Sequence, residues 1–291
     1  MRTIDLASLE IFRAVVEQGG IVRAAQALNR VQSNVTTRIK QLEQRLGTPL
    51  FRKQGRSLVL SREGELLWTY SQRLFRLADE AEQALRAGTP QGLLKIGALE
   101  STAASRLPPL LSRFHREHPG VVVELATGTT GSLLRRVSRY ELEAAFVSQP
   151  YEAPGLQSTK AFEEELVLIT ARGVPPVRRA GDLQGMTMIA FSDGCSYRRR
   201  LHEWLAADGA APARVLDFGS YHAIVACVAA GTGFALVPVS LLRTVRAAAV
   251  LRHPVPARIG RSETHLVWNG ATSPCLQQLR QMLVPEHRAA R

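Results

Sequence analysis

IVRAAQALNRVQSNVTTRIKQLEQRL, residues 21–46, decides the fold of the amino-terminal part of this 291-residue chain. Ala24, Ala25 and Leu28 recur at the spacing of one helical face, so residues 21–28 read as a short helix that packs closely on a neighbour. Asn29 interrupts it. From Gln32 a second helix places Val35, Ile39, Leu42 and Leu46 on one side. Gln32, Ser33, Asn34, Thr36, Thr37, Arg38 and Lys40 fall elsewhere and stay free, with Arg23 on the preceding helix. Hydroxyl, amide and guanidinium groups near a helix N-terminus suit base edges and phosphates in a major groove. On these residues alone, an ordinary helical hairpin with a solvated polar face fits equally well.

The next segment favours DNA. In PLFRKQGRSLVLS, residues 49–61, Leu50 and Phe51 can anchor a core, Gly55 supplies a turn, and residues 58–60 can pair back as a strand. This is a basic wing, with Arg52, Lys53 and Arg56 placed to neutralise phosphates. Residues 1–62 carry 11 lysines and arginines against 4 acids, whereas the rest carries 26 against 21. More than half of the net charge of +12 therefore sits in about a fifth of the chain, as a local electrostatic footprint should.

Beyond the wing, Leu67, Tyr70, Leu74, Leu77, Ala81 and Ala84 step alternately by three and four. That seam predicts a helix over 63–87 that pairs with its copy in a homodimer and sets two half-sites roughly 34 Å apart. Packing of the stripe on its own domain is the alternative. A Gly- and Pro-containing hinge at 89–92 follows.

From residue 93, apolar strand-like runs alternate with helical ones, which predicts βαβ units and a parallel sheet. Strands are expected at 93–98, 121–126, 144–148, 166–171, 186–191, 215–218, 234–238 and 265–268. Residues 218–242 contain no Asp, Glu, Lys or Arg, but Gly231, Gly233 and Pro238 divide them into helix, turn and buried strand rather than a membrane span. Ligands of such folds bind where strand C-termini face helix N-termini. Ser101, Thr102, Thr129, Ser148, Cys195, Ser196, Tyr197, Arg198, Ser220, Tyr221 and His222 fall at such places. They are expected to hold a small anionic effector, although each hydroxyl alone could be a helix N-cap.

Composition sets bounds: 45% hydrophobic residues support real cores, and no secretory signal is visible in the first ten residues. Three widely separated cysteines fit a reducing cytoplasm better than a disulfide framework. Cys195, beside Arg198, Arg199 and Arg200 near a helix start, could sense oxidants. It could also be a nucleophile with His202 or His222 as base, but no acid partner, phosphate loop or GxSxG elbow accompanies it. His115 and His118 lack further ligands, so neither metal nor cofactor is implied. A solute-binding protein would explain two lobes but not the basic amino-terminal module.

The pattern LASLEIFRAVVEQGGIVRAAQALNRVQSNVTTRIKQLEQRLGTPLFRKQGRSLVLSREG, with Phe12, Ala24-Ala25, the Ile39 to Gly47 run, Pro49-Leu50-Phe51 and Gly64, resembles the amino-terminal module of LysR-type transcriptional regulators. The resemblance extends in layout over all 291 residues. It implies an α/β chain with a winged helix-turn-helix (1–62), a linker helix (63–88), the hinge, and a two-lobed effector-binding domain (93–291) like type 2 periplasmic binding proteins. Lobe one would be 93–161 plus 266–291, and lobe two 162–265. It further implies promoter DNA, a small-molecule effector and RNA polymerase as partners, and a homotetramer built through the effector domains. Ser33 stands where many members have Pro, Thr37 where many have Arg, and Lys53 where a wing Arg is common.

Overall fold

The computed structural model describes residues 4–55, 57–85, 90–245 and 249–283. Arg56, the side chain of Ala84 and the hinge residue Thr89 lie outside them. The chain divides into two compact units, Met1–Arg86 and Ala87–Arg291.

In the first unit, α1 (Leu6–Glu17), α2 (Ile21–Ala27) and α3 (Gln32–Leu46) pack around Leu9, Phe12, Ala24, Val35, Ile39 and Leu42. Asp5 caps α1 by accepting from the Ser8 N–H (2.7 Å), and Arg45 reaches back to the same carboxylate (2.9 Å). These bonds hold the Asp5 carboxyl down at about 2. Between α2 and α3 the backbone turns at Asn29, which has a left-handed φ of 52°. The helix-turn-helix is therefore formed by the residue that interrupts the apolar period.

α3 ends at Gly47, and Glu43 on its last turn accepts from the N–H groups of Leu50 (2.7 Å) and Phe51 (3.3 Å). That carboxylate fixes the corner from which the wing starts. The wing is an antiparallel pair, β1 (Phe51–Gln54) and β2 (Ser57–Leu60), in the register Phe51 to Leu60 and Gln54 to Ser57. Ser61 then starts α4 (Arg62–Leu85) by accepting from the Gly64 N–H (2.9 Å). A Cβ built on Gly64 would lie 2.0 Å from the Leu50 carbonyl oxygen, so the helix can cross this close to the wing corner only through a glycine. Gly64→Ala should lower stability by about 1 to 3 kcal/mol through overpacking. Thermal unfolding measures it; an unchanged midpoint would contradict the close approach.

On α4 the expected seam needs one correction. Leu67 is buried in its own domain core (8% exposed), because the first turn of α4 packs on α1, whereas Leu66, Tyr70, Leu74 and Leu77 are exposed. The outward apolar stripe therefore runs through Leu66 rather than Leu67.

The second unit has two lobes. Lobe one contains β3 (Gly92–Leu99), α5 (Glu100–Ser105), α6 (Leu107–Glu117), β4 (Val121–Gly128), α7 (Thr130–Ser138) and β5 (Ala144–Ser148). A long strand, β6 (Gln157–Ala171), leads into lobe two. There β7 (Thr187–Phe191), α8 (Ser196–Ala207), β8 (Arg214–Phe218), α9 (Tyr221–Ala229), β9 (Ala235–Pro238), α10 (Val239–Leu242), β10 (Val250–His253) and α11 (Ala257–Gly260) follow. The chain returns through β11 (Arg261–Trp268) and closes lobe one with α12 (Pro274–Gln281).

Parallel pairs join β3 to β4 and β5, and β7 to β8, as βαβ units require. The expected all-parallel sheet is corrected, since β11 is antiparallel to β5 and β6, and β6 is antiparallel to β9 and β10. The physical reason is that β6 and β11 carry the chain out of lobe one and back again, so they must run in opposite senses. β6 serves both lobes, pairing with β11 over 157–165 and with β9 and β10 over 166–171.

Lobe one packs Leu94, Ile96, Ala144 and Phe146 against α6 and α12 residues Leu107, Phe114, Leu276 and Leu279. A second core contains Leu133 and Val147 of lobe one together with Ile189, Trp204, Ile224 and Phe234 of lobe two. Apolar packing is thus continuous across the lobes.

Candidate functional site

In the first unit, buried Val35, Ile39 and Leu42 fix which side of α3 faces inward. Gln32, Ser33, Asn34, Thr37, Arg38 and Lys40 are all exposed, and Thr36 is half-buried. Val31 at the N-cap carries no side-chain hydrogen bond, leaving the positive end of α3 uncovered beside Gln32 and Ser33. Thr36 donates to the Gln32 carbonyl (2.9 Å), and Arg23 donates to the Gly19 carbonyl (2.9 Å). Arg38 and Lys40 make no such bond among the described residues. On the wing, Arg52 and Lys53 are exposed. The expected contact set therefore forms an open cationic and hydroxyl-bearing face.

In the second unit, the lobes meet through polar contacts. The Gly131 N–H donates to the Gly194 carbonyl (3.2 Å), and the Ser105 hydroxyl to that of Ser240 (3.2 Å). Arg199 donates to the Pro150 carbonyl. Arg200, buried, donates to the carbonyls of Gln149 (3.1 Å), Arg258 (3.0 Å) and Arg261 (3.1 Å), clamping α8 to the crossover strands. Glu100, at the start of α5, accepts from the Tyr221 N–H and lies 4.0 Å from His222. Burial raises the Glu100 carboxyl above its usual range, partly offset by that N–H and by His222.

Around this junction, Ser101, Thr102, Thr129, Ser148, Cys195, Ser196, Tyr197 and Tyr221 are all buried. Ser148 is the central member: its hydroxyl bonds that of Ser262 (2.8 Å), and Thr130 donates to its carbonyl (3.3 Å). Ser148 pairs in register with Thr264 on β11, and the Ser148 and Ser101 hydroxyls sit near enough to the Tyr197 phenol to favour its ionised form. Burial outweighs them and drives the phenol pKa upward. The hydroxyl oxygens of Ser196 and Thr264 are buried without a hydrogen-bond partner among the described residues, and those of Ser101 and Tyr197 have no neighbour of good hydrogen-bond geometry beyond each other and Ser148. A cavity of ≈490 Å³ opens at the edge of this region, lined by Thr130, Gly131, Cys195, Ser196, Arg198 and Arg199 among others.

Several expected effector residues have other tasks. Thr129 caps α7 in a reciprocal box with Ser132 (3.3 and 3.0 Å). Arg198 is spent on Asp217 (2.5 Å) and Asp193 (3.4 Å), so it presents no uncompensated charge. His222 is 59% exposed at the rim, and Ser220 is half-buried at the α9 N-cap without a side-chain cap bond. Cys195 Sγ lies 3.7 Å from the Tyr221 hydroxyl. Burial pushes its thiol pKa up, against the smaller opposing effect of the Arg198 and Tyr197 N–H groups at the α8 N-terminus. Thr264 went unread in the sequence, inside a strand, and Arg200, read there only as a charge beside Cys195, proves to be a clamp on backbone carbonyls.

No helix among the described residues is long and apolar enough to cross a membrane. A family model described as "Bacterial regulatory helix-turn-helix protein, lysR family" matches residues 6–65, and one described as "LysR substrate binding domain" matches 87–288. The chain is 40% identical over 266 residues to the uncharacterized HTH-type transcriptional regulator YusT of Bacillus subtilis (strain 168), covering 91% of this chain and 89% of that one. A full-length OxyR variant from Pseudomonas aeruginosa has a similar fold (TM-score 0.76, 19% identity, 97% of this chain and 94% of that one). So does full-length CbnR complexed with its target DNA (TM-score 0.68, 21% identity, 96% and 99%). Homologues named as regulators, in a family without enzymatic activity, set aside the thiol-enzyme reading of Cys195. A helix-turn-helix unit followed by a substrate-binding unit, each matched along nearly its whole length, makes this chain a LysR-type transcriptional regulator.

Proposed function

We propose that the chain is a cytoplasmic, ligand-responsive regulator that reads promoter DNA through α3 and the wing, and holds a small anionic metabolite between its two lobes. The observation that carries the ligand reading is the set of buried hydroxyls supplied by α5, α8 and β11, of which Ser196 and Thr264 have no partner among the described residues and Ser101 and Tyr197 have at most each other and Ser148. Leaving a buried hydroxyl without a partner costs about 1 to 3 kcal/mol, so Ser196 and Thr264 beside the Ser101 and Tyr197 pair favour a bound molecule that accepts from them. The arginines nearby are engaged: Arg106 with Glu164, Arg198 with Asp217, and Arg200 with backbone carbonyls. Recognition therefore falls to hydroxyls and backbone N–H groups, which suits a compact carboxylate better than a highly charged anion.

The exposed stripe of α4 supports a homodimer, and doubling through the effector domains would give the tetramer that the family pattern implies. Ligand binding then shifts the lobes, changes the placement of paired reading heads, and alters contact with RNA polymerase. This coupling requires only that the ligand prefer one arrangement, by about 1 to 3 kcal/mol. A redox-sensing role for Cys195 has less support, because burial raises its thiol pKa and lowers the reactive thiolate fraction.

A panel of small carboxylates screened by thermal shift tests the ligand site. A metabolite that stabilises the wild type should lose at least about tenfold in affinity in Ser101→Ala/Ser196→Ala, for two hydrogen bonds worth roughly 1 kcal/mol each. Equal stabilisation of wild type and double variant would place the ligand elsewhere.

A further inference from the structure

A second cavity of the effector-binding unit, ≈1230 Å³, shares no lining residue with the cavity at the α8 N-terminus. The crossover segments of β6 and β11 line it together with α10, β10 and α11. Four carboxylates and four guanidinium groups line it, which at first sight leaves it neutral. The pairing decides otherwise. Glu164 is held by Arg106 (2.7 Å) and accepts from Ser240 (2.8 Å). Glu163 and Glu263 share the Lys160 ammonium at 2.5 and 2.7 Å, which leaves that trio one negative charge and the whole wall a net charge of about +1. That leaves Glu165 as the one lining acid outside those pairs, in a wall that also carries Arg243, Arg252 and Arg261. None of these three side chains has an ion pair or hydrogen bond among the described residues, and all three are exposed to the cavity and solvent. Glu165 is the register partner of Arg261, so one guanidinium has an acid opposite it and two have none.

We infer that this cavity is a second ligand site, which takes a compact multivalent anion of phosphate or polycarboxylate chemistry. A guanidinium offers a rigid fork of donors that matches phosphate and carboxylate oxygens in pairs, and several forks on one ligand favour an anion with several oxygens. Arg243 and Arg252 belong to lobe two, whereas Arg261 stands on the strand that returns to lobe one. An anion gripping all three ties lobe two to the crossover, the segment about which the lobes must move. Its binding therefore biases lobe arrangement from a place separate from the hydroxyl-lined site, and the two ligands are coupled through the same hinge.

The test is peptide-resolved hydrogen exchange on the full chain, with inorganic pyrophosphate in one arm and citrate in the other, at constant ionic strength. Reading exchange peptide by peptide separates this site from anion binding by the basic first unit. Exchange should slow at least threefold in peptides covering 239–245 and 250–263, saturably at or below about 1 mM. Arg252→Gln/Arg261→Gln should abolish the slowing, and Ser101→Ala should leave it intact. Should that pair compromise folding, Arg243→Gln alone must still weaken saturation severalfold. Slowing by pyrophosphate only assigns phosphate chemistry, and by citrate only assigns polycarboxylates. No slowing in either arm, or equal slowing in the double variant, overturns the site. Loss of response in Ser101→Ala alone would mean that the anion occupies the hydroxyl-lined cleft instead.

Discussion

Arg38→Ala is expected to weaken binding to the cognate promoter fragment by about 1 to 3 kcal/mol, on the order of tenfold to a hundredfold. Arg38 is exposed on α3, at the flank of the Val35, Ile39 and Leu42 stripe, and its guanidinium makes no bond among the described residues. Nothing in the fold depends on it, so its loss should appear in DNA binding and not in thermal stability. Lys53→Ala supplies the contrast. An exposed ammonium on the wing acts as a point charge on phosphate, so its removal should weaken all sequences alike and lower the slope of log K against log salt by about 1. Thr36→Val should do less than either, because the Thr36 hydroxyl already donates to the Gln32 carbonyl. Fluorescence anisotropy on cognate and scrambled duplexes at several salt concentrations measures all three. An Arg38→Ala protein with unaltered preference for the cognate duplex would remove α3 from its reading role.

Tyr70→Glu/Leu77→Glu is expected to turn the dimer into monomers at micromolar concentration and to cost roughly 10²- to 10⁴-fold in affinity for a two-half-site operator, the scale of lost avidity. Tyr70 is 55% exposed and Leu77 61%, and with Leu66 (60%) and Leu74 (40%) they form an apolar stripe over several turns of α4. Two carboxylates in such a seam would be desolvated against apolar partners and against their own copies. Leu67→Glu should behave differently. Leu67 is 8% exposed within the first unit's core, so a charge there should unfold the reading domain itself rather than separate the subunits. Sedimentation equilibrium and circular dichroism distinguish the two outcomes. A Tyr70→Glu/Leu77→Glu protein that remains dimeric would assign the exposed stripe another role.

The reading unit was legible in the sequence because each element carries its own local signal. The 3.6-residue period placed α2 and α3, Asn29 marked the turn, and Gly55 the wing. Leu67 was misassigned because a heptad seam and a core stripe share a spacing, and only tertiary packing tells which side of α4 faces inward. In the second unit, β5 and β9 were visible as continuous apolar runs because neighbours cover both faces. The amino-terminal half of β6, residues 157–165, was not, since QSTKAFEEE is largely exposed and held by backbone pairing with β11. β10 escaped for a related reason: four residues on a sheet edge, including Arg252, carry too short a pattern.

The candidate site divides along the same line. Ser101, Ser196 and Tyr197 could be picked out at a strand end or a helix start, where hydroxyls often face a cleft. Thr264 lies in mid-strand, and its buried oxygen is meaningful only once β11 is seen to cross between lobes. Thr129 shows the other side of this, a hydroxyl at a helix start that is occupied as a cap. Charge was the least legible feature, because which arginines are free depends on pairings such as Arg106 with Glu164, 58 residues apart.

The basic first unit is expected to read duplex DNA by sequence. The most direct measurement is competition binding of the full chain to its own promoter fragment against scrambled duplex, with and without a stabilising carboxylate. A preference of at least about 10³ and a steep decline of affinity with salt are expected, reflecting several phosphate contacts. Equal affinity for both duplexes at moderate ionic strength, in either ligand state, would contradict it.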